Sequence, residues 1–530
     1  MCIRDSLLAL LALPGNPPIL TAQEAVLLQP DPVFFDGFGH AVAVDGDVAA
    51  VGIDQSGGGG PGAVYVFRRA AGSWAFEAKL TGSAPGGRFG AAVAVSGDAL
   101  AVGDPAAGPL APGSGAVHVF RRTGGVWVPE AVLAPLAGAA NDAFGSSVTL
   151  DGDVLAAGAP FGDGAVADTG TAYAFRRAGG LWSQEAALSD PTGGPFEDYG
   201  RAVSVQGDTL LVGAPFDGKP ANVAGSVFVY GNGPGGWTQE AVLQAQDGPA
   251  NRELGIAVSL DGDTAAAGAH FDSEAGVQAG AVYVFTRSAG VWSQEAKLVP
   301  EDAGDNDEFG AAVSLSGDTL AVGSPGVDGA MFAVGSTCLY VRAGGAWNEA
   351  ARLMVSGGAS GDAFGWDVAL DGEVLVASAP FEEQGFLVTG AAYAYRVEHP
   401  TLAAATCALS ASAGGQQVLT LDAGAGHAGK PFLLLGTTSG TQPGTPVDAL
   451  TLPLNLDAYL LFTLANPNVA PLAGSAGALD SAGKAGATFT LPPRSSPALV
   501  GLAVHHAYLV LGAGLAAELA SNAVSVSIGF

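Results

Sequence analysis

An aromatic residue followed by glycine recurs along most of this chain with almost no drift. The pairs are Phe38-Gly39, Phe89-Gly90, Phe144-Gly145, Tyr199-Gly200, Phe309-Gly310 and Phe364-Gly365, with Leu254-Gly255 standing in the same register. The first interval is 51 residues and every later one is 55. Trp74, Trp127, Trp182, Trp237, Trp292 and Trp347 keep nearly the same period, each leading into a segment that reads E-A-x-L or close to it. Two independent rulers that agree define a repeat array, and a period of this length excludes an ordinary single-core domain.

Within one unit, residues 90–133, GAAVAVSGDALAVGD carries two short β-rich runs separated by Gly97-Asp98, the chemistry of a tight hairpin turn. A variable loop of Gly, Pro and Asp follows, then Ala116 to Arg122, a short glycine turn, and Trp127 to Leu133 pairing back. The unit is a four-stranded antiparallel meander. Seven such sheets cannot each bury both faces alone, so they pack face to face around an axis, and the expected fold is an all-β, seven-bladed propeller. Its ends are complementary: Ala25 to Leu28 matches a fourth strand with no first three, and Gly365 to Val397 supplies three strands with no fourth. The N-terminal strand is expected to complete the last blade, removing two sheet edges.

After Glu398-His399-Pro400 the composition shifts to Ala, Leu, Gly and Thr and the markers vanish. Residues 23–399 are therefore assigned to the propeller and 400–530 to a small β-sandwich-like domain. Its strands are expected at Gln417–Asp422, Phe432–Leu435, Tyr459–Leu464, Ala487–Leu491, Ala507–Leu511 and Ala523–Ile528. Residues 1–22 are set apart: MCIRDS resembles a translated sequencing adaptor, and Leu7 to Leu13 with the small-residue site around Leu20-Thr21-Ala22 reads as the end of a secretory leader. Leu499 to Leu519 is apolar, but His505, His506 and Glu518 interrupt it, so a buried strand pair is expected rather than a membrane span.

The motifs F-G-x-A-V-x-V, A-V-G-A-P and G-A-V-Y-V-F resemble the FG-GAP repeat of the integrin α-subunit head and of exported bacterial propellers, over residues 24 to about 399. The resemblance implies the propeller fold, an extracellular setting and adhesion or binding. It also implies calcium loops of the form D-x-D/N-x-D-G-x-x-D, and here this chain departs. The corresponding places hold Asp45-Gly46-Asp47, Asp151-Gly152-Asp153 and Asp261-Gly262-Asp263, two-residue turns too short to offer the six or more oxygens that calcium takes. No metal site is carried over and no cofactor is required, although the acidic loops leave calcium open as a ligand.

A formal charge of −30 with only 20 Lys and Arg argues against nucleic acid and anionic membranes, both of which need a basic footprint. Three cysteines, Cys2, Cys338 and Cys407, are too few and too scattered for a disulfide framework or a zinc site. In an up-down meander the short turns lie on one face and the long loops on the other. The long segments hold 24 Asp and Glu against Arg88, Lys219 and Arg252, so the loop face is expected to be acidic. Arg69, Arg122, Arg177, Arg287 and Arg342 each precede a Trp by five residues, a spacing that suits a guanidinium on an indole.

The densest acidic loop is Glu301, Asp302, Asp305, Asp307 and Glu308. Asp302, Asp305, Asp307 and Glu308, with Asp217, His270 and Asp272, are the candidate binding residues. His270 stands where other units have the proline of G-A-P. The acids just before the aromatic-Gly pair, Asp36, Asp142, Asp198, Glu253, Asp307 and Asp362, are read as turn caps. Gly424 to Pro431 overlaps nucleotide-loop patterns, but Pro431 and the strand-like PFLLLG after it make it a glycine-rich hairpin loop. No nucleophile stands beside an identifiable base, and no catalytic residue is assigned. The sequence thus points to a secreted or cell-surface binding scaffold whose loop face meets an extracellular protein or glycan. The alternatives are a propeller hydrolase or lyase acting on polysaccharide, and a structural envelope component.

Overall fold

The computed structural model describes residues 20–398, apart from the short stretches 34–35, 54–59, 84–86, 165, 219–223, 248–251, 329–331, 344, 356–357 and 385–386, and the strands and nearest turns within 401–529. Leu7 to Leu13, Lys219, Cys2, Cys407 and Tyr459–Leu464 lie outside the described residues. The chain divides into two compact units whose main bodies are Ala22–Trp347 with Arg352–Arg396, and Val397–Phe530. Among the described residues every named element is a β-strand.

Each repeat builds one four-stranded antiparallel blade. Blade 1 consists of Ala41–Asp45, Val48–Ile53, Ala63–Ala70 and Ser73–Thr81, hydrogen-bonded in chain order. Blades 2 to 6 repeat this over Ala92–Leu133, Ser147–Leu188, Ala202–Leu243, Val258–Leu298 and Ala312–Leu353. Blade 7 takes Val368–Asp371, Val374–Ala379 and Ala391–Glu398 from the end of the array and its fourth strand, Leu20–Leu27, from the beginning. The expected closure is present, although the paired strand starts at Leu20, inside the stretch read as the end of a leader.

The burial pattern follows from position in the blade. The second strands are buried at every residue in all seven blades, which is why they read as unbroken small apolar runs such as VAAVGI and VLAAGA. The fourth strands alternate, because one face meets solvent. First strands contact one another in order around the ring, and Val368–Asp371 of blade 7 contacts Ala41–Asp45 of blade 1. They line the axis.

The aromatic-Gly pair joins neighbouring blades. Phe38, Phe89, Phe144, Tyr199, Phe309 and Phe364 are at most 1% exposed and fill the seams; Phe89, for example, lies in one cluster with Val64 and Val66 of blade 1 and Val93, Leu100 and Phe120 of blade 2. Burying each ring contributes roughly 1.5–3 kcal/mol. The glycine allows close approach: Gly90 donates its N–H to the Gly103 carbonyl, and a Cβ on Gly103 would sit 2.0 Å from the Gly145 carbonyl oxygen. Only hydrogen fits there. At the closing seam, Ser378 occupies the place of this second-strand glycine.

The C-terminal unit contains two main sheets. One has Thr401–Ala404, Gly415–Asp422, Lys484–Leu491 and Leu472–Ala473; the other includes Ala408–Ser410, Val524–Gly529, Ala503–Leu511, Pro431–Thr437 and Ala476–Ala478. They meet where Phe489 of the first packs on the fully buried His506 of the second, with ring centroids 5.1 Å apart. Ala503–Leu511 pairs with Ala517–Ala520, so the apolar segment does form strands. The glycine-rich segment before Pro431 is corrected: a strand does follow it, but Gly415–Asp422 and Pro431–Thr437 belong to different sheets, so it is an inter-sheet connection and not a hairpin.

Candidate binding face

The turn face carries one closed ring of contacts and an outer series that repeats from blade to blade. In each two-residue turn between the first and second strands, the glycine alone takes positive φ, for example 54° at Gly46 and 58° at Gly152, as a type II′ turn requires. The residue before it reaches the next blade. Asp45 accepts the Gly97 N–H (2.6 Å), Ser96 that of Gly152 (3.0 Å), Asp151 that of Gly207 (2.6 Å), Gln206 that of Gly262 (2.5 Å), Asp261 that of Gly317 (2.5 Å), Ser316 that of Gly372 (3.0 Å), and Asp371 that of Gly46 (2.7 Å). Seven bonds close the circle, and the turn acids Asp45, Asp151, Asp261 and Asp371 are used within it.

Farther out, the glutamate of most E-A-x-L segments is gripped by the next blade. Glu77 accepts from Arg122 (2.6 Å) and Trp127 Nε1 (3.1 Å), Glu130 from Arg177 (2.7 Å) and Trp182 (3.5 Å), and Glu295 from Arg342 (3.2 Å) and Trp347 (3.3 Å). Glu24, on the N-terminal strand, takes Arg69 and Trp74 in the same way, so this strand joins blade 7 and clasps blade 1. The cross-strand register places Arg69, Arg122, Arg177 and Arg287 opposite their tryptophans, and the guanidinium lies over the indole at 5.2 Å for Arg287–Trp292 and Arg342–Trp347. The shared glutamate escaped the sequence reading, although its fixed distance from Trp was visible.

On the loop face many acids are also committed. Asp36, Asp142, Asp307 and Asp362 accept N–H bonds from the residue three before, each at 2.6 Å, as turn caps do. Asp198 and Glu253 are a correction: they stand one residue later, at φ 52° and 56°, while Glu197 makes the cap to Gly194 in blade 4 and Arg252 takes that place in blade 5. Burial raises the pKa of Asp307 and Asp362 above the ordinary carboxylate value even though each accepts a backbone N–H.

The candidate binding residues are divided by the fold. Asp302 pairs with Arg352 at 2.6 Å, the same arrangement as Asp31 with Lys79 and Asp247 with Lys297. Asp305 accepts the Val277 N–H (2.8 Å). Asp272 is 1% exposed and shares Arg252 and Lys297 with Asp247, while Tyr283 donates to it at 2.9 Å. Burial alone would raise the pKa of Asp247, but hydrogen bonds from Lys297 and Arg252 carry it down to about 2. Asp217, 2% exposed, lies with Asp190 and Glu197, their oxygens within 4.8 Å of one another. Asp217 and Asp272 belong to the body of the blades, whereas Asp302 and Asp305 stay exposed on the long loop, each engaged by one neighbour. Glu308 and His270, by contrast, line the axial cavity.

That cavity, of about 360 Å³, is walled by the residue after each aromatic-Gly pair: His40, Ala91, Ser146, Arg201, Ile256, Ala311 and Trp366. Arg88 and Glu308, from the position before the pair, also face it. His270 Nε2 lies 3.0 Å from Glu253, and its ring stacks on Phe271 at 4.1 Å. Burial raises the pKa of Asp198, Arg201 opposes this and Glu253 adds to it, so these groups sense one another. Around the cavity the long loops expose Phe161, Phe196, Phe332 and Phe381, at 44–70%. Neither the exposure of these rings on the loop face nor the position of Arg201 in the cavity was anticipated from sequence.

Comparison with known families gives a model described as FG-GAP repeat, matching residues 21–67, 74–120, 127–175, 182–230, 237–285, 292–340 and 347–395. Each match begins in a fourth strand and ends in the third strand of the following blade, so the sequence unit is offset from the structural one by one strand. A search of the curated proteins returned no match.

Proposed function

The chain belongs to the FG-GAP repeat family, and on that premise we propose that it is a secreted or cell-surface, non-enzymatic binding scaffold that presents its long-loop face to an extracellular protein or glycan. Family membership supports a binding or scaffolding role. Among the described residues no helix is long and apolar enough to cross a membrane. The observation that carries the reading is the convergence, on one face, of the axial cavity and the exposed rings of Phe161, Phe196, Phe332 and Phe381. Large apolar rings left exposed on one face beside a polar cavity mark interaction sites.

The test compares glycan-array and immobilised-protein binding by the full chain, by a loop-face double variant Phe196→Ser, Phe332→Ser, and by Asp98→Lys on the turn face. Binding should fall at least tenfold in the loop variant and persist in the turn variant. Equal behaviour of all three would remove the basis for the reading. A hydrolase or lyase reading has one observation in its favour, the Glu253–His270 pair beside Asp198 at the cavity. Release of reducing ends from a polysaccharide panel, abolished by Glu253→Gln, would replace binding by turnover.

A further inference from the structure

The mouth of the axial cavity has two chemically different sides. On the side of blades 7 and 1, Trp366 is 37% exposed, with Phe381 edge-on at 5.3 Å and His40 at 6.2 Å. The fold does not demand an indole here, because the equivalent residues in the other blades are His40, Ala91, Ser146, Arg201, Ile256 and Ala311. On the side of blades 4 and 5, Arg201 is exposed, with its charge acting on Asp198. Near it are Asp198 and the Glu253–His270 pair.

We propose that this mouth binds a neutral pyranose unit of a glycan chain. Trp366 stacks on the C–H face of the ring, while Arg201 donates to ring hydroxyl oxygens and Glu253 and His270 exchange hydrogen bonds with the hydroxyls. The inference rests on the binding-scaffold reading and names its ligand class. A sugar ring has one apolar face and a rim of hydroxyls that both donate and accept, so it matches an indole on one wall and mixed guanidinium, carboxylate and imidazole groups on the other. Charge disfavours anionic sugars: the chain as a whole carries −30, and at the wall Glu308, with Glu253 and Asp198 behind His270 and Arg201, offsets Arg88 and Arg201. A volume of about 360 Å³ accepts a sugar unit or two and excludes a folded domain.

The experiment uses the full chain, with calorimetry and tryptophan fluorescence at 50 and 500 mM NaCl. The probes are cellotetraose, mannotetraose and xylotetraose, with trigalacturonate and a lysine-rich peptide as charged competitors. At least one neutral probe should bind with equal affinity at both salt concentrations and shift the emission to the blue. Trp366→Ala should weaken it about tenfold and abolish the shift, with Trp366→Phe retaining part of the affinity and the melting temperature unchanged in both. Arg201→Ala should weaken it severalfold. The proposal is overturned by no neutral binding, by salt-sensitive binding of a charged probe alone, or by binding indifferent to Trp366→Ala. Loop-face binding that survives Trp366→Ala and Arg201→Ala but is lost in the Phe196, Phe332 variant would sink the glycan site and leave the scaffold standing. Loss of neither would sink both.

Discussion

Asp367 is a half-buried residue whose carboxyl group is tucked into the one seam where the ring must close on itself. It stands two residues after the pair's glycine, where the other blades have Ala or Ser, its Oδ2 accepts the Val42 N–H of blade 1 at 2.7 Å, and its Oδ1 accepts the Val368 N–H at 2.9 Å. Burial raises its pKa to about 7, against a pull downward by those two N–H groups. The sign follows from proton counting. Between the unfolded value of 3.8 and the folded value near 7 the native state binds the extra proton, so stability falls as pH rises through this window and levels off above it. At about 1.4 kcal/mol per unit, the loss between pH 4.5 and 7.5 comes to about 3 kcal/mol. Asp367→Asn is neutral throughout. Its amide meets the Val368 N–H donor to donor, which adds an offset but no slope. Denaturant unfolding of both proteins at pH 4.5, 6.0 and 7.5 should therefore show the variant gaining about 3 kcal/mol on wild type across the series. Taking the difference removes the common background of the other titrating acids. Parallel pH profiles would refute the reasoning, because they would mean that Asp367 is solvated or already ionised in the folded ring.

Gly103→Ala sets a Cβ 2.0 Å from the Gly145 carbonyl oxygen and should cost upwards of about 3 kcal/mol or prevent folding, seen as a lower denaturation midpoint. The surface glycine Gly124, with open space around its Cβ but φ of 60°, should cost only about 1 kcal/mol on the same change. Asp272→Ala leaves Arg252 buried with one fewer carboxylate and should destabilise by about 3–5 kcal/mol, whereas Asp305→Ala on the exposed loop should cost under about 1.5 kcal/mol; equal losses in unfolding experiments would contradict the burial argument. Calcium at millimolar concentration should leave the melting temperature unchanged, since the turn acids bond neighbouring amides; a rise that vanishes in Glu197→Gln would instead place a cation at Asp190, Glu197 and Asp217.

The blade and its closure were legible in the sequence because they depend on local chemistry repeated many times. Gly97-Asp98 specifies a turn, ALAVGD specifies a strand buried on both faces, and the unpaired fourth strand near Ala25 has one place to go. The family unit, which starts with that strand, carries the closure within each repeat. The face of the ring that carries the long loops was legible for the same reason, from meander topology alone. What each charge does on that face was not. Asp302 and Asp272 look as available as any acid in a list of residues, yet Arg352 and Arg252, 50 and 20 positions away, occupy them. Asp198 and Glu197 are neighbours in the chain, but one residue of register, together with positive φ, sends one toward the axis and the other back into a turn. Trp366 and Arg201 are 165 positions apart and line one cavity, because each of the seven blades delivers the residue after its aromatic-Gly pair to the same rim. Periodicity is a property of the chain and can be read along it. The environment of a charge, and the meeting of residues around an axis, exist only after every blade has been placed.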